Sequence, residues 1–100
     1  MKVNVQSVNF NADQKLIDFI QARLDKLEHF YDKIIYADVF LKVQKTSEKE
    51  NKITEILLSI PGGDVIVKKR CKKFEECVDE SVNTLQRQLV KRKEKMSAHV

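Results

Sequence analysis

The sequence predicts an α+β domain of order β-α-β-β-β-α, a four-stranded sheet with two helices packed on one face. Three observations predict it. Two long segments, residues 13–31 and 73–95, repeat apolar residues at helical spacing. Four shorter segments alternate apolar and polar residues, as strands with one buried face do. Strong turn signals separate the last three of them by short connections, which makes those strands an antiparallel meander. At 100 residues the chain has room for one domain, read as residues 1–95 with a short polar tail over residues 96–100.

The first strand carries Val3, Val5, Val8 and Phe10, with a one-residue change of phase that suggests a bulge near Ser7. Asn11 or Asp13 then caps a helix. Leu16, Ile17, Phe19, Ile20, Leu24, Leu27, Phe30 and Tyr31 fall on one stripe of it, about 160° wide. Arg23 projects within that stripe, and Lys15 and Lys26 flank it nearly in line.

Residues 36–45 form the second strand through Val39, Leu41 and Val43. A polar loop over residues 46–51 leads to the third, residues 53–60, with Ile56, Leu58 and Ile60 on one face. Pro61-Gly62-Gly63-Asp64 is a tight turn, because Pro presets one φ and Gly tolerates positive φ at the next position. The fourth strand covers residues 65–70. The last helix buries Phe74, Val78, Val82, Leu85 and Leu89, with Cys77 and Ser81 at one margin of that stripe. Two helices over one sheet leave the other sheet face open to water, as antiparallel sheets permit.

Composition narrows the function. Hydrophobic residues make up 42% of the chain, enough for a core and too many for a disordered segment. No run of about 18 apolar residues exists, and the start has no apolar signal core, so neither a membrane partner nor export is expected. Two cysteines are too few for a disulfide framework and fit a reducing, cytoplasmic location. His29 and His99 lack neighbours at metal spacing, and Cys71-x5-Cys77 is not a zinc pattern. No phosphate-cradling Gly loop and no nucleophile–base pattern is present. The chain therefore reads as a non-enzyme without cofactor, metal or small-molecule substrate.

Charge is the informative feature. The formal net charge is +4. Residues 1–67 hold 9 Lys+Arg against 10 Asp+Glu, whereas residues 68–100 hold 10 against 5, so the last third carries the whole excess. Part of it is Lys68-Lys69-Arg70-Cys71-Lys72-Lys73. Strand alternation sends Lys68 and Arg70 to one face and Lys69 to the other. The rest lies in Arg87, Lys91, Arg92, Lys93 and Lys95. Lys73, Thr84, Arg87, Lys91 and Lys95 share about 80° of the helix, roughly opposite its core stripe, with Glu80 the one acid among them. Cations near a helix C-terminus complement its dipole. Five in nine residues exceed that need and repel one another, so a polyanion partner is the better explanation.

Three stretches resemble the ribosome hibernation-promoting factor family, also known as ribosome-associated inhibitors of translation or sigma-factor modulation proteins. They are Ala22-Arg23-Leu24-Asp25-Lys26-Leu27-Glu28, the hairpin Ile60-Pro61-Gly62-Gly63, and Leu85-Gln86-Arg87-Gln88-Leu89-Val90-Lys91-Arg92-Lys93. The resemblance covers essentially the whole chain. It implies a partner, the small ribosomal subunit with its 16S rRNA, and occupation of the channel used by mRNA and tRNA. Translation is then blocked and idle ribosomes are held in hibernation during stationary phase or stress. Carried onto this chain, the family's RNA-contacting positions are Arg23, Lys26, Arg70, Arg87 and Lys91. Lys68, Lys72, Lys73, Arg92 and Lys95 join them from the charge pattern alone, all ten forming one patch. The chain also reads as a monomer off the ribosome. One departure is Lys73-Phe74-Glu75-Glu76-Cys77-Val78-Asp79, which stands where the family often has an acid and a tyrosine. Two other readings compete: a double-stranded-RNA-binding module, and a protein-interaction module using the open sheet face through Phe40 and Leu57.

Overall fold

The structure, a computed structural model, describes the backbone of residues 1–98 and the side chains of residues 1–93. The Lys95 side chain and the last two residues of the expected tail lie outside that description. The elements are β1 (Lys2–Val8), α1 (Gln14–Phe30), β2 (Tyr36–Val43), β3 (Lys52–Ile60), β4 (Gly63–Cys71) and α2 (Phe74–Ala98). The order is the expected β-α-β-β-β-α. The last helix runs three residues further than the periodicity suggests, because residues 96–98 hold nothing that stops a helix.

The four strands lie side by side in chain order. β1 pairs with β2 in parallel, with Val5 opposite Val39, and α1 makes the crossover that a parallel pair requires. β2, β3 and β4 form the antiparallel meander, with Val39 opposite Ile56 and Ile56 opposite Val67. Those residues, with Ala37, Leu41, Leu58, Ile60 and Val65, make the buried face. From α1 it receives Leu16, Ile20, Leu24 and Leu27, and from α2 it receives Phe74, Val78, Val82, Leu85 and Leu89. The helical stripes read from the sequence are thus the core.

The local signals resolve clearly. Asp13, not Asn11, caps α1: its Oδ1 accepts the Leu16 backbone N–H at 2.9 Å. α1 closes when the Tyr31 N–H donates to the Leu27 carbonyl at 2.9 Å. In the β3–β4 turn, Gly62 has φ 90 and Gly63 φ 148, a backbone that side chains disfavour.

The bulge expected near Ser7 is absent. The β1–β2 register runs unbroken from Lys2 opposite Tyr36 to Val8 opposite Lys42. The change of phase occurs after the strand instead, where Asn9 adopts φ 70. Asn is among the few non-glycine residues that tolerate this conformation. It turns Phe10 inward to stack on Phe74, with ring centroids 4.8 Å apart.

Candidate nucleic-acid interface

Two helices lying side by side present one outer surface, and the cations on it differ in what they already touch. Arg87 and Lys91 project from the exposed face of α2. The Arg87 guanidinium donates to Thr84 Oγ1 at 3.3 Å, and that hydroxyl in turn donates to the Glu80 carbonyl at 3.0 Å. This short chain lays Arg87 along the helix without neutralising it. Among the described residues no carboxylate forms an ion pair with Arg87 or Lys91. Lys72 and Lys73 are exposed in the short connection that leads into α2.

The two positions from α1 behave differently. Arg23 is half-buried and bridges the helices: its Nε lies 2.9 Å from Asp79 Oδ1. The same guanidinium sits over the Phe19 ring, 4.9 Å from its centroid. Lys26 is exposed on the rim of a shallow groove between α1 and α2, which Arg23, Phe30, Asp79, Asn83 and Gln86 also line. Arg23 therefore has its charge met by Asp79 across the two helices, whereas Lys26, like Lys15 near the start of α1, is exposed.

The end of α2 divides its charges between its neighbours. The Arg92 side chain reaches the β3–β4 turn, where its Nη2 lies 3.6 Å from the place a Cβ on Gly62 or Gly63 would take. Lys93 turns the other way and caps α1. Its Nζ donates to the Phe30 carbonyl at 3.4 Å and lies 5.1 Å from the centre of that ring. An excess that looked like free charge in the sequence is partly the attachment of α2 to the turn and to α1.

Lys68 and Arg70 lie elsewhere. In β4, Val65, Val67 and Cys71 face the helices, so Lys68 and Arg70 share the open sheet face with Ile66. Lys68 stands opposite Glu55 of β3, and the Arg70 Nη1 approaches Glu48 Oε2 at 3.5 Å. The single patch expected from the sequence is therefore two surfaces. One is the outer helical layer, with Lys26, Arg87, Lys91 and the adjoining Lys72 and Lys73. The other is the open sheet face, with Lys68 and Arg70. Lys69, which the sequence reading left out, is half-buried and lies on the helix side of β4. Its parity with Val65 and Val67 was the available signal.

The open sheet face also exposes apolar side chains. Phe40 is 37% and Ile66 is 54% exposed, and Leu57, between Asp38 and Ile66 in the register, is half-buried. No helix among the described residues is long and apolar enough to cross a membrane.

Comparison with known proteins agrees with this architecture. The family model described as sigma 54 modulation protein / S30EA ribosomal protein matches residues 3–97. The chain is similar to a ribosome hibernation promoting factor of Pseudomonas putida, 33% identical over 98% of this chain and 92% of that protein. It is also similar to the protein of the same name from Escherichia coli K12, 28% identical over 99% of this chain and the whole of that one. Two solved structures share the fold. The N-terminal domain of Thermus thermophilus Protein Y has a TM-score of 0.74 and 24% identity, covering 88% of this chain and 94% of that domain. A ribosomal subunit interface protein from Coxiella burnetii has a TM-score of 0.83 and 18% identity, covering 94% and 99%.

Proposed function

Because the chain belongs to the sigma 54 modulation protein / S30EA ribosomal protein family, we propose that it is a ribosome hibernation factor of the cytoplasm. It binds the small ribosomal subunit through 16S rRNA and occupies the channel that mRNA and tRNA need. The observation that carries the reading is the outer helical layer, where Arg87 and Lys91 stand exposed with no ion-pair partner among the described residues. Phosphates are met by such groups: a forked guanidinium and a mobile ammonium on a rigid rod.

Action is by exclusion rather than by chemistry. A body held at several phosphates fills space that the substrates of translation require, and it needs no catalytic group. Lys26, Lys72 and Lys73 extend the contact along the same layer. Arg23 contributes an exposed ion pair to Asp79 across α1 and α2. Lys68 and Arg70 reach phosphates on the other side of the body. Off the ribosome the protein is a monomer.

The test is co-sedimentation of the purified chain with small subunits across a salt series, paired with a translation-initiation assay. Expected are a bound fraction that falls steeply as salt rises and an initiation rate that falls as protein is added. Protein that stays at the top of the gradient at low salt refutes the reading. Equal affinity for a plain RNA duplex points instead to a duplex-binding module. Binding to a protein partner that ignores salt points to the open sheet face.

A further inference from the structure

The groove between α1 and α2 lies within the outer helical layer, and its lining differs from the row of cations beside it. Leu27 and Val82 are buried at its floor, and the half-buried Phe30 adds an aromatic ring. Two primary amides, Asn83 and Gln86, line it from exposed positions of α2, and Lys26 lines it from α1. The space is about 170 Å³. Pockets that hold whole drug-sized ligands run to roughly 300–1,000 Å³, so this one takes a single small planar group.

The amides stand out by what they do not touch. On α1, Gln14 Nε2 donates to Asp18 at 2.8 Å and Gln21 Nε2 to Asp25 at 3.0 Å, each one turn further on. Among the described residues, neither the Asn83 nor the Gln86 amide has such a partner on α2. Asp79, one turn before Asn83, is already held by Arg23, whose Nε lies 2.9 Å from its Oδ1. That pairing also neutralises the acid in the lining, so the groove does not repel an anionic chain. A primary amide carries a donor and an acceptor on one flat group. Nucleobase edges carry the same pair, which is why Asn and Gln read them with two hydrogen bonds.

Cations flank the groove on both sides. Asn83 and Arg87, four residues apart, share one side of α2, and Lys91 follows one turn later. Lys26 is exposed on the opposite rim. We propose that an unpaired nucleobase of the bound RNA docks in this groove. Asn83 and Gln86 bond its edge, Leu27, Val82 and Phe30 meet its ring, and Lys26 and Arg87 take the flanking phosphates. The assignment rests on the RNA-binding reading and deepens it. Cations register phosphate, which is the same at every nucleotide, whereas an amide on a base edge selects one position. Single-stranded loops and bulges supply such bases, and a regular duplex does not.

Two measurements test it. In the first, the side-chain NH2 signals of isotope-labelled protein are followed by NMR as each common nucleoside 5′-monophosphate is added, with ribose 5-phosphate as the control. Expected are shifts at Asn83 and Gln86 from at least one nucleotide, approaching saturation by about 10 mM for a millimolar dissociation constant, and none from ribose 5-phosphate. In the second, the double variant Asn83→Ala with Gln86→Ala is titrated against small subunits across a salt series. Both positions are exposed, and circular dichroism melting checks the fold. Expected is an affinity lower by about tenfold at every salt concentration with the salt slope unchanged, because base contacts release no counterions. Absence of a shift with every nucleotide, shifts that ribose 5-phosphate reproduces, or a variant that binds as tightly as the original chain overturns the groove as a base site. A chain whose amides shift with nucleotides but which ignores small subunits overturns the ribosome reading and leaves the groove standing.

Discussion

Replacing Arg87 and Lys91 together by Gln should change how salt acts on ribosome binding more than it changes the fold. Both side chains are exposed, and within the protein the double substitution removes the 3.3 Å hydrogen bond from Arg87 to Thr84. A surface change of that kind shifts stability by about 0.5 kcal/mol or less. For a domain of this size that is roughly 2–4 °C in Tm. Each phosphate neutralised by a cation contributes about 0.7–0.9 to the slope of log affinity against log salt. Removing two such cations flattens the slope by about 1.4–1.8. Between 50 and 200 mM salt, the fall in affinity is then smaller by about tenfold. Small-subunit binding measured at five or six salt concentrations, with circular dichroism melting as the control, reads both quantities. An unchanged slope in a folded, ribosome-bound variant would show that these cations face solvent in the complex, and the proposed interface would not stand.

Further outcomes follow from the packing around this surface. In a double-mutant cycle with Arg23→Gln and Asp79→Asn, thermal or denaturant unfolding should give a coupling below about 1 kcal/mol, since both partners are substantially exposed. A larger coupling would mean that the pair is dry in solution. Gly62→Ala should cost about 1–2 kcal/mol by denaturant unfolding, because φ 90 strains any residue with a Cβ and the nearest neighbour is only the tip of Arg92. An unchanged stability would imply that the turn rearranges. Leu89→Ala should cost about 2–5 kcal/mol, the range for a fully buried leucine. A much smaller value would place the basic half of α2 outside the cooperative core.

The fold was legible because it is written in periodicity. Both helical stripes and the alternation in β2, β3 and β4 follow from burial, which acts on every residue of an element at once. What failed was local. The phase change in β1 is a single left-handed residue, Asn9, and pattern alone does not distinguish that from a bulge. The site was legible only as charge. Arg23, Arg92 and Lys93 are cations in any count, yet Asp79, the Gly62-Gly63 turn and the Phe30 carbonyl claim them in space. Helical projection placed Arg87 and Lys91 on the exposed face because that face depends only on the helix's own geometry. The sides taken by Lys68 and Arg70 depend on which strand parity meets the helices, which is a tertiary fact. Lys26, Asn83 and Gln86 meet across the seam between two helices, where linear spacing carries no metric information.

The parity of β4 has one more consequence. With Lys68 and Arg70 behind the sheet and Arg87 and Lys91 ahead of the helices, the molecule is charged on two opposed sides. A flat polyanion can engage only one of them and leaves the other pair of cations outside the contact. A slot walled by phosphate on both sides engages all four, and the body then acts as a wedge. Its affinity depends on the width of the slot, so a ribosome whose two walls move apart would release it without any change in the protein.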